Sequence, residues 1–465
     1  MKTLHVSFSF PPDPPGGTEL YVAALCRELK AIGTEAVVAA PAARTARYRH
    51  DGLTVRRFQT KEGQLDLPAL YGDGDSVAAD NFDRLLDEER PDVVHQHALT
   101  PGSSIQIVER VKRRGLPLVF TYHTPTTMCQ RGTLLEWGVT PCDGRVEAVR
   151  CGACTLHGHG LGRLTSHTLA YLPAGVGHLL GQMGLHGGPW TALRMSSLMQ
   201  SRVDASRRLV DAVDTFVSLA PWVEQLLLDN GVPAAKIVRV AHGIVSHRPA
   251  GRRRAAATGR LRLAHLGRVD PVKGTKLLLD ALRAVPDANV SLDVFGVVQS
   301  DSAAELLQSW RRIAADDGRI RFQPPIDYDT VVDRLAEYDM VVVPSQWMET
   351  GPLVVLEAFA AGVPVIGSDL GGLSDKVHDG VDGLLVRPYH AVDAWSAVLA
   401  RVGSDRRLVG HLSQGVRPPR AMADVAREMQ VVYETSGTDR RPRVAAAPEP
   451  LTPARTEPVT EAWSR

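Results

Sequence analysis

The run from Val341 to Val386, VVVPSQWMETGPLVVLEAFAAGVPVIGSDLGGLSDKVHDGVDGLLV, leaves few folds open to the chain that contains it. It begins as a buried strand ending at Pro344 and Ser345, passes through a loop holding Glu349, enters an apolar helix carrying Glu357, and returns as a second strand, PVIGS. The glycine pair Gly371 and Gly372 follows. Strand, loop, helix and strand in that order make a parallel unit, and open parallel sheets bind ligands outside the carboxyl ends of their strands. Both glutamates therefore fall near one crevice. With the helix starting near Pro352, where a missing N–H costs little, Glu357 lies about five residues in, roughly 7–8 Å along the axis. Glu349 stays in the loop before it. The helix start between them offers N–H groups and a positive dipole end to an anion. That spacing suits a sugar nucleotide, with hydroxyls at both ends and a diphosphate in the middle.

At 465 residues the chain is too long for one ordinary core, and two or three domains are expected. Its 44% hydrophobic content is globular, and a formal net charge of +1 gives no general reason to expect nucleic acid or an anionic surface as partner. Five cysteines in a chain of this size do not make a secreted disulfide scaffold. The opening run LHVSFSF is ended by Pro11 and Pro12 before it reaches the length of a signal-peptide core. No window of eighteen apolar residues is uninterrupted, which excludes an ordinary spanning helix. The expectation is a cytoplasmic protein, with a peripheral membrane contact left open.

The N-terminal half alternates strands and helices over residues 1 to 120, as a Rossmann-like half built on a parallel sheet does. After the first strand, PPDPPGGTELYVAALCRELKAIG places Leu20, Tyr21, Ala24, Leu25 and Leu29 at helical spacing, with Thr18 as cap and Glu19 in the first turn. Gly16 and Gly17 precede that helix, where bare backbone approaches a ligand closely. No G-x-G-x-x-G fingerprint is present, so a nicotinamide or flavin cofactor is not supported. Two later strands end in histidines, His95 with His97, and His123, which puts imidazoles at the ligand-facing edge.

Cys129, Cys142, Cys151 and Cys154 then form a C-x12-C-x8-C-x2-C pattern in a short insert, residues 129–154. Three readings are open: a structural zinc on the four thiols, unligated thiols, or disulfides. His157 and His159 are substitute ligands. Residues 155 to 200 are rich in Gly, Leu and His; a covered core helix is preferred, against a helical pair that covers the acceptor side or touches a lipid surface. The segment HRPAGRRRAAATGR is a linker by composition, and the second half opens with LRLAHLGRVDPVKGTKLLLDAL, whose loop holds Arg268 and Lys273. From about Ser436 the composition is that of a disordered tail.

Together these residues resemble the family 4 retaining glycosyltransferases, which have the GT-B fold of two Rossmann-like domains facing across a cleft. The two glutamates with seven residues between them, and the Gly-Arg followed by Lys-Gly, carry the likeness. It implies an N-terminal acceptor domain at 1–246, a donor domain at 247–435 whose last helix packs back on the first, and a tail at 436–465. It further implies transfer of a sugar from a nucleotide-diphosphate donor to an acceptor hydroxyl with retention. Catalytic roles fall to His123, Glu349, Arg268 and Lys273. Donor binding falls to Gly17, Arg268, Lys273, Glu349, Gly351, Leu353, Val354 and Glu357, the last on the ribose. His97 lines the acceptor side as a weaker candidate. Gly351-Pro352 stands where many members have Phe-Gly, and Asp375 where glutamate is more usual. A subset of the family shares the Cys-x-Arg-Gly and C-x-x-C insert. No D-x-D pair stands outside a turn, Asp73/Asp75 and Asp327/Asp329 included, so metal-independent chemistry is expected. Two other functions fit the same residues: a nucleotide-sugar hydrolase or epimerase of this fold, and a non-catalytic scaffold.

Overall fold

The computed structural model describes residues 1–14, 16–245 and 259–437. The proposed boundary near residue 246, most of the linker and nearly all of the tail lie outside them.

Among the described residues, ten strands lie in the first half: β1 (Lys2–Val6), β2 (Glu35–Ala42), β3 (Ala46–His50), β4 (Leu53–Gln59), β5 (Val93–Gln96), β6 (Leu118–Thr121), β7 (Leu135–Glu136), β8 (Thr140–Pro141), β9 (Thr215–Ser218) and β10 (Ile237–Arg239). Six follow in the second: β11 (Leu261–Arg268), β12 (Val290–Val297), β13 (Ile320–Gln323), β14 (Met340–Val343), β15 (Val365–Ser368) and β16 (Gly383–Val386). The first sheet runs β10-β9-β6-β5-β1-β2-β4-β3, the second β13-β12-β11-β14-β15-β16, while β7 and β8 pair as a small hairpin. Helices cover both faces of each main sheet, which is why β5, β6 and β14 are buried along their whole length. The two layered α/β halves form the GT-B architecture. One antiparallel pair, β3 with β4, departs from the parallel rule. Asp51 and Gly52 turn it, both with positive φ, as a two-residue hairpin of that twist needs.

Some elements differ from expectation. The helix Gly17–Ala31 is capped by Gly16 rather than Thr18, and the Glu19 carboxylate reaches back to accept the Gly16 N–H at 2.7 Å. The helix Met195–Ala212 buries Met195, Leu198 and Met199 in its first turns, in one cluster with Tyr71 and Leu156. Residues 155–200 are not a covered core helix. They form short helices, Arg163–Ala170, Ala174–Gln182 and Gly188–Leu193, and expose Leu164, Tyr171, Leu179 and Met183. The last helix, Met422–Thr435, buries Met422, Val425, Met429 and Val432 in one cluster with Tyr21, Leu25 and Leu29 of the first half.

Candidate functional site

The carboxyl ends of β11 and β14 carry the two loops that build the site. Gly274 has φ +73°, and a Cβ there would fall 1.9 Å from the Pro344 carbonyl oxygen, so only glycine lets the loops meet. The Gln346 N–H donates to Val272 O at 2.7 Å and locks them further. Lys273 Nζ thereby lies 2.6 Å from Glu349 Oε1, and the Ser345 hydroxyl donates to the same oxygen at 2.7 Å. Burial works to raise the Glu349 carboxyl, but the Lys273 ammonium and these hydrogen bonds outweigh it and hold the group below its ordinary value. The ammonium also sits 5.3 Å from the centre of the Trp347 ring. Arg268, at the end of β11, comes no closer than 4.0 Å to Asp270 and keeps its guanidinium half-exposed.

The helix Leu353–Ala360 starts after Pro352, whose carbonyl accepts the Val355 N–H, so Leu353 and Val354 supply its free first N–H groups. Glu357 is half-buried one turn on, and burial pushes its carboxyl up to about 7. The structure thus joins Lys273 directly to Glu349 but holds Glu357 apart.

Across the cleft, the first half meets these loops through backbone. A Cβ on Gly17 would lie 3.7 Å from Leu353 Cδ1, which places the N-terminal glycine loop over the helix start. Thr350 Oγ1 donates to the His123 carbonyl at 2.7 Å, and Trp222 Nε1 donates to the Glu349 carbonyl at 3.1 Å. That carbonyl also accepts the Gly372 N–H at 2.7 Å. Gly351 lies against His242 so closely that a Cβ would fall 2.1 Å from the ring. Trp222, Thr350, Ser345 and His242 were not singled out from the sequence as site residues. No local pattern marks them, because each acts on a group more than a hundred residues away or on the turn beside it.

The histidines correct one expectation. His97 does not line an open acceptor face: it is wholly buried, with His5 on one ring nitrogen and His123 Nε2 on the other, each at 3.1 Å. His95 is tied to Tyr433 and Thr121. Among the described residues, His5, His95 and His97 are the one trio of metal-binding side chains with donor atoms within 4.8 Å of one another. Each ring already has both nitrogens in hydrogen bonds, so the trio is a bonded line rather than a cradle. Burial keeps the His123 imidazole down at about 3, hence neutral.

The cysteines are all free. Cys154 Sγ accepts the Trp137 N–H at 3.3 Å and Cys142 Sγ the Gly144 N–H at 3.4 Å. A tetrahedral zinc shell needs sulfurs about 3.8 Å apart. No three of these come within 4.8 Å of one another, so the thiols as arranged do not form that shell, and the disulfide reading is not what the fold contains. The insert instead walls a cavity of about 550 Å³ beside the ends of β5 and β6, lined by Thr100, Thr126, Arg131, His159 and Arg202 among others. Asp75 caps the helix Ser76–Glu89, accepting the Val77 and Ala78 N–H groups, which accounts for one member of the Asp73/Asp75 pair.

Residues 16–243 match the family model described as glycosyl transferase 4-like domain, and residues 251–417 match that of glycosyl transferases group 1. A D-inositol 3-phosphate glycosyltransferase of Frankia alni is 30% identical over 398 residues, covering 80% of this chain and 82% of that protein. The same-named protein of an Arthrobacter species is 25% identical over 420 residues, covering 86% and 84%. Among solved structures, HepE of Anabaena in complex with UDP and glucose has a TM-score of 0.61 at 13% identity, covering 94% of this chain and 100% of that one. Sucrose-phosphate synthase of Thermosynechococcus elongatus has a TM-score of 0.63 at 16% identity, covering 93% and 98%. With both halves matched in this way, the chain belongs to the family 4 glycosyltransferases of GT-B fold.

Proposed function

We propose that the cleft binds a nucleoside diphosphate sugar and moves its sugar, with the anomeric configuration retained, to an acceptor hydroxyl presented by the N-terminal half. The observation that carries this reading is the Lys273–Glu349 pair, 2.6 Å apart, beside the start of the helix Leu353–Ala360 and facing the Gly17 loop. Charge forming on the departing diphosphate is met by Lys273, Arg268 and the N–H groups of Leu353 and Val354. Glu349 and His123 orient the sugar, and Glu357 takes the ribose hydroxyls. The complex of HepE with UDP and glucose, a protein of like fold, supports a nucleotide donor. No step requires a metal ion.

A thermal-shift panel of UDP, GDP and ADP and their sugars tests the reading, followed by NMR of the product's anomeric configuration. Stabilisation by one nucleoside diphosphate and a retained product support it; no stabilisation by any of them removes it. Product analysis with and without acceptor separates transfer from hydrolysis or epimerisation, and a scaffold protein would bind no nucleotide at all.

A structural zinc on Cys129, Cys142, Cys151 and Cys154 enters this reading as a brace of the insert, supplying no chemistry at the cleft. Holding it requires the sulfurs to draw together. One equivalent of zinc in the purified protein supports it, whereas none, with four freely titratable thiols, removes it.

A further inference from the structure

The helix Ala174–Gln182 is packed inside out. Its buried side is glycine: a Cβ on Gly177 would fall 2.4 Å from Ser197 Oγ, and one on Gly181 would fall 2.8 Å from the Arg194 guanidinium. Its outer side carries Val176, Leu179 and, just past its end, Met183, spaced three and four residues apart and therefore on one face. Leu179 is 58% exposed and Met183 64% exposed. Water-facing helices normally show the reverse arrangement, with the apolar stripe turned to the core. The neighbouring helices add Leu164, 83% exposed, and Tyr171, 72% exposed, with Trp190 also exposed. Apolar surface gathered in one insert of this kind marks an interaction site rather than scattered surface residues.

The charge around it selects the partner. From Ala148 to Val203 the chain has no Asp or Glu, and Arg163 stands exposed within it; of the other arginines Arg194 is buried, Arg150 is paired with Asp143 and Arg202 lines the cavity. A protein partner docked through leucines alone gives no reason to exclude every carboxylate from so long a run. A surface of anionic headgroups over acyl chains does, since it repels carboxylates, attracts guanidinium groups and takes up apolar side chains. Tyr171 and Trp190, before and after the stripe in the chain and both exposed, carry the amphipathic rings that settle at headgroup level. Arg163, exposed beside Leu164, has the long stem that lets a charge stay with the headgroups while its neighbour enters the chains. The same insert walls the cavity beside β5 and β6, through Thr155, Gly158 and His159.

We propose that the face made by Leu164, Tyr171, Val176, Leu179, Met183 and Trp190 is a docking surface for an anionic lipid bilayer, on which the protein lies without spanning it. Among the described residues no helix is long and apolar enough to cross a membrane, which is consistent with a surface contact.

Flotation of the full chain with vesicles tests this, comparing phosphatidylglycerol mixed into phosphatidylcholine with phosphatidylcholine alone. The wild type should float with the anionic vesicles and largely stay behind with the neutral ones. The double variant Leu179→Glu/Met183→Glu should lose about tenfold in partition for each side chain removed, and Arg163→Gln about fivefold. Because these side chains are exposed, the variants should keep the wild-type melting temperature and nucleotide-induced thermal shift, so a folding fault or a failed donor site is read separately. Absence of flotation, equal flotation with both vesicles, or full binding by the double variant would overturn the proposal. So would a lipid-free dimer, seen by light scattering, that the double variant abolishes, since the face would then belong to a second copy.

Discussion

The loop carrying Lys273 and the helix carrying Leu179 sit in opposite halves and are held in opposite ways. The first is fixed by backbone against backbone: Gly274 on the Pro344 carbonyl, the Gln346 N–H on Val272 O, and a charge pair closed at 2.6 Å. The second is fixed by glycines against side chains, with its large apolar groups turned outward. Where a site must meet developing charge, donors have to be in position beforehand, and a rigid loop supplies this. Where a surface must meet a yielding partner, the native packing can leave the apolar groups free.

That contrast breaks first at the ammonium. Lys273→Ala should lower kcat/KM by about 10²–10³, the usual loss when one preorganised donor is removed, and steady-state assays with the identified donor check it. An unchanged value would mean that the charge pair is only structural. Next comes the glycine: Gly274→Val puts a branched side chain at positive φ against a carbonyl, and chemical denaturation should show a loss of about 3 kcal/mol.

Glu357 sharpens the comparison through pH. Its folded-state carboxyl is pushed to about 7 from an ordinary 4.5, so the fold holds this proton more tightly than the unfolded chain does. Its contribution to stability therefore falls as pH rises from about 4.5 to 7 and is level above that. The hold on ribose hydroxyls proposed for it, which is stronger through the carboxylate, should move the other way. Nucleotide affinity measured by calorimetry should strengthen about tenfold between pH 6 and 8, and Glu357→Gln should flatten the profile.

Smaller effects remain on both sides. Trp222→Phe removes one hydrogen bond to the Glu349 carbonyl, which keeps its Gly372 donor, and the KM for donor should rise about fivefold. Leu179→Ser should change the unfolding free energy by less than about 0.5 kcal/mol, because that leucine is largely exposed.

The two regions also differ in how far their residues announce them. The strand β14 is fully buried and reads as an apolar run with Glu349 after it, and Arg268 and Lys273 stand at and just past the end of the strand-like run of β11, so the second half's loops are visible in the chain itself. His97 shows the limit: a histidine at a strand end reads as ligand-facing, yet His5 on the adjacent strand and His123 beyond enclose it. The insert misleads more deeply. Val176, Leu179 and Met183 have the periodicity of a core face, and the packing of Gly177 on Ser197 and of Gly181 on Arg194 shows that the helix is turned the other way. Periodicity tells which residues share a face but not what that face meets.

The closing helix carries one more consequence. Met422, Val425, Met429 and Val432 fill the layer behind Tyr21 and Leu25, although they follow the second sheet in the chain. The polypeptide accordingly passes between the halves twice. A stop or cleavage ahead of Met422 would leave the donor-side sheet entire while opening a hole beneath the acceptor-side one, so damage at the carboxyl end would surface as a fault of the amino-terminal half.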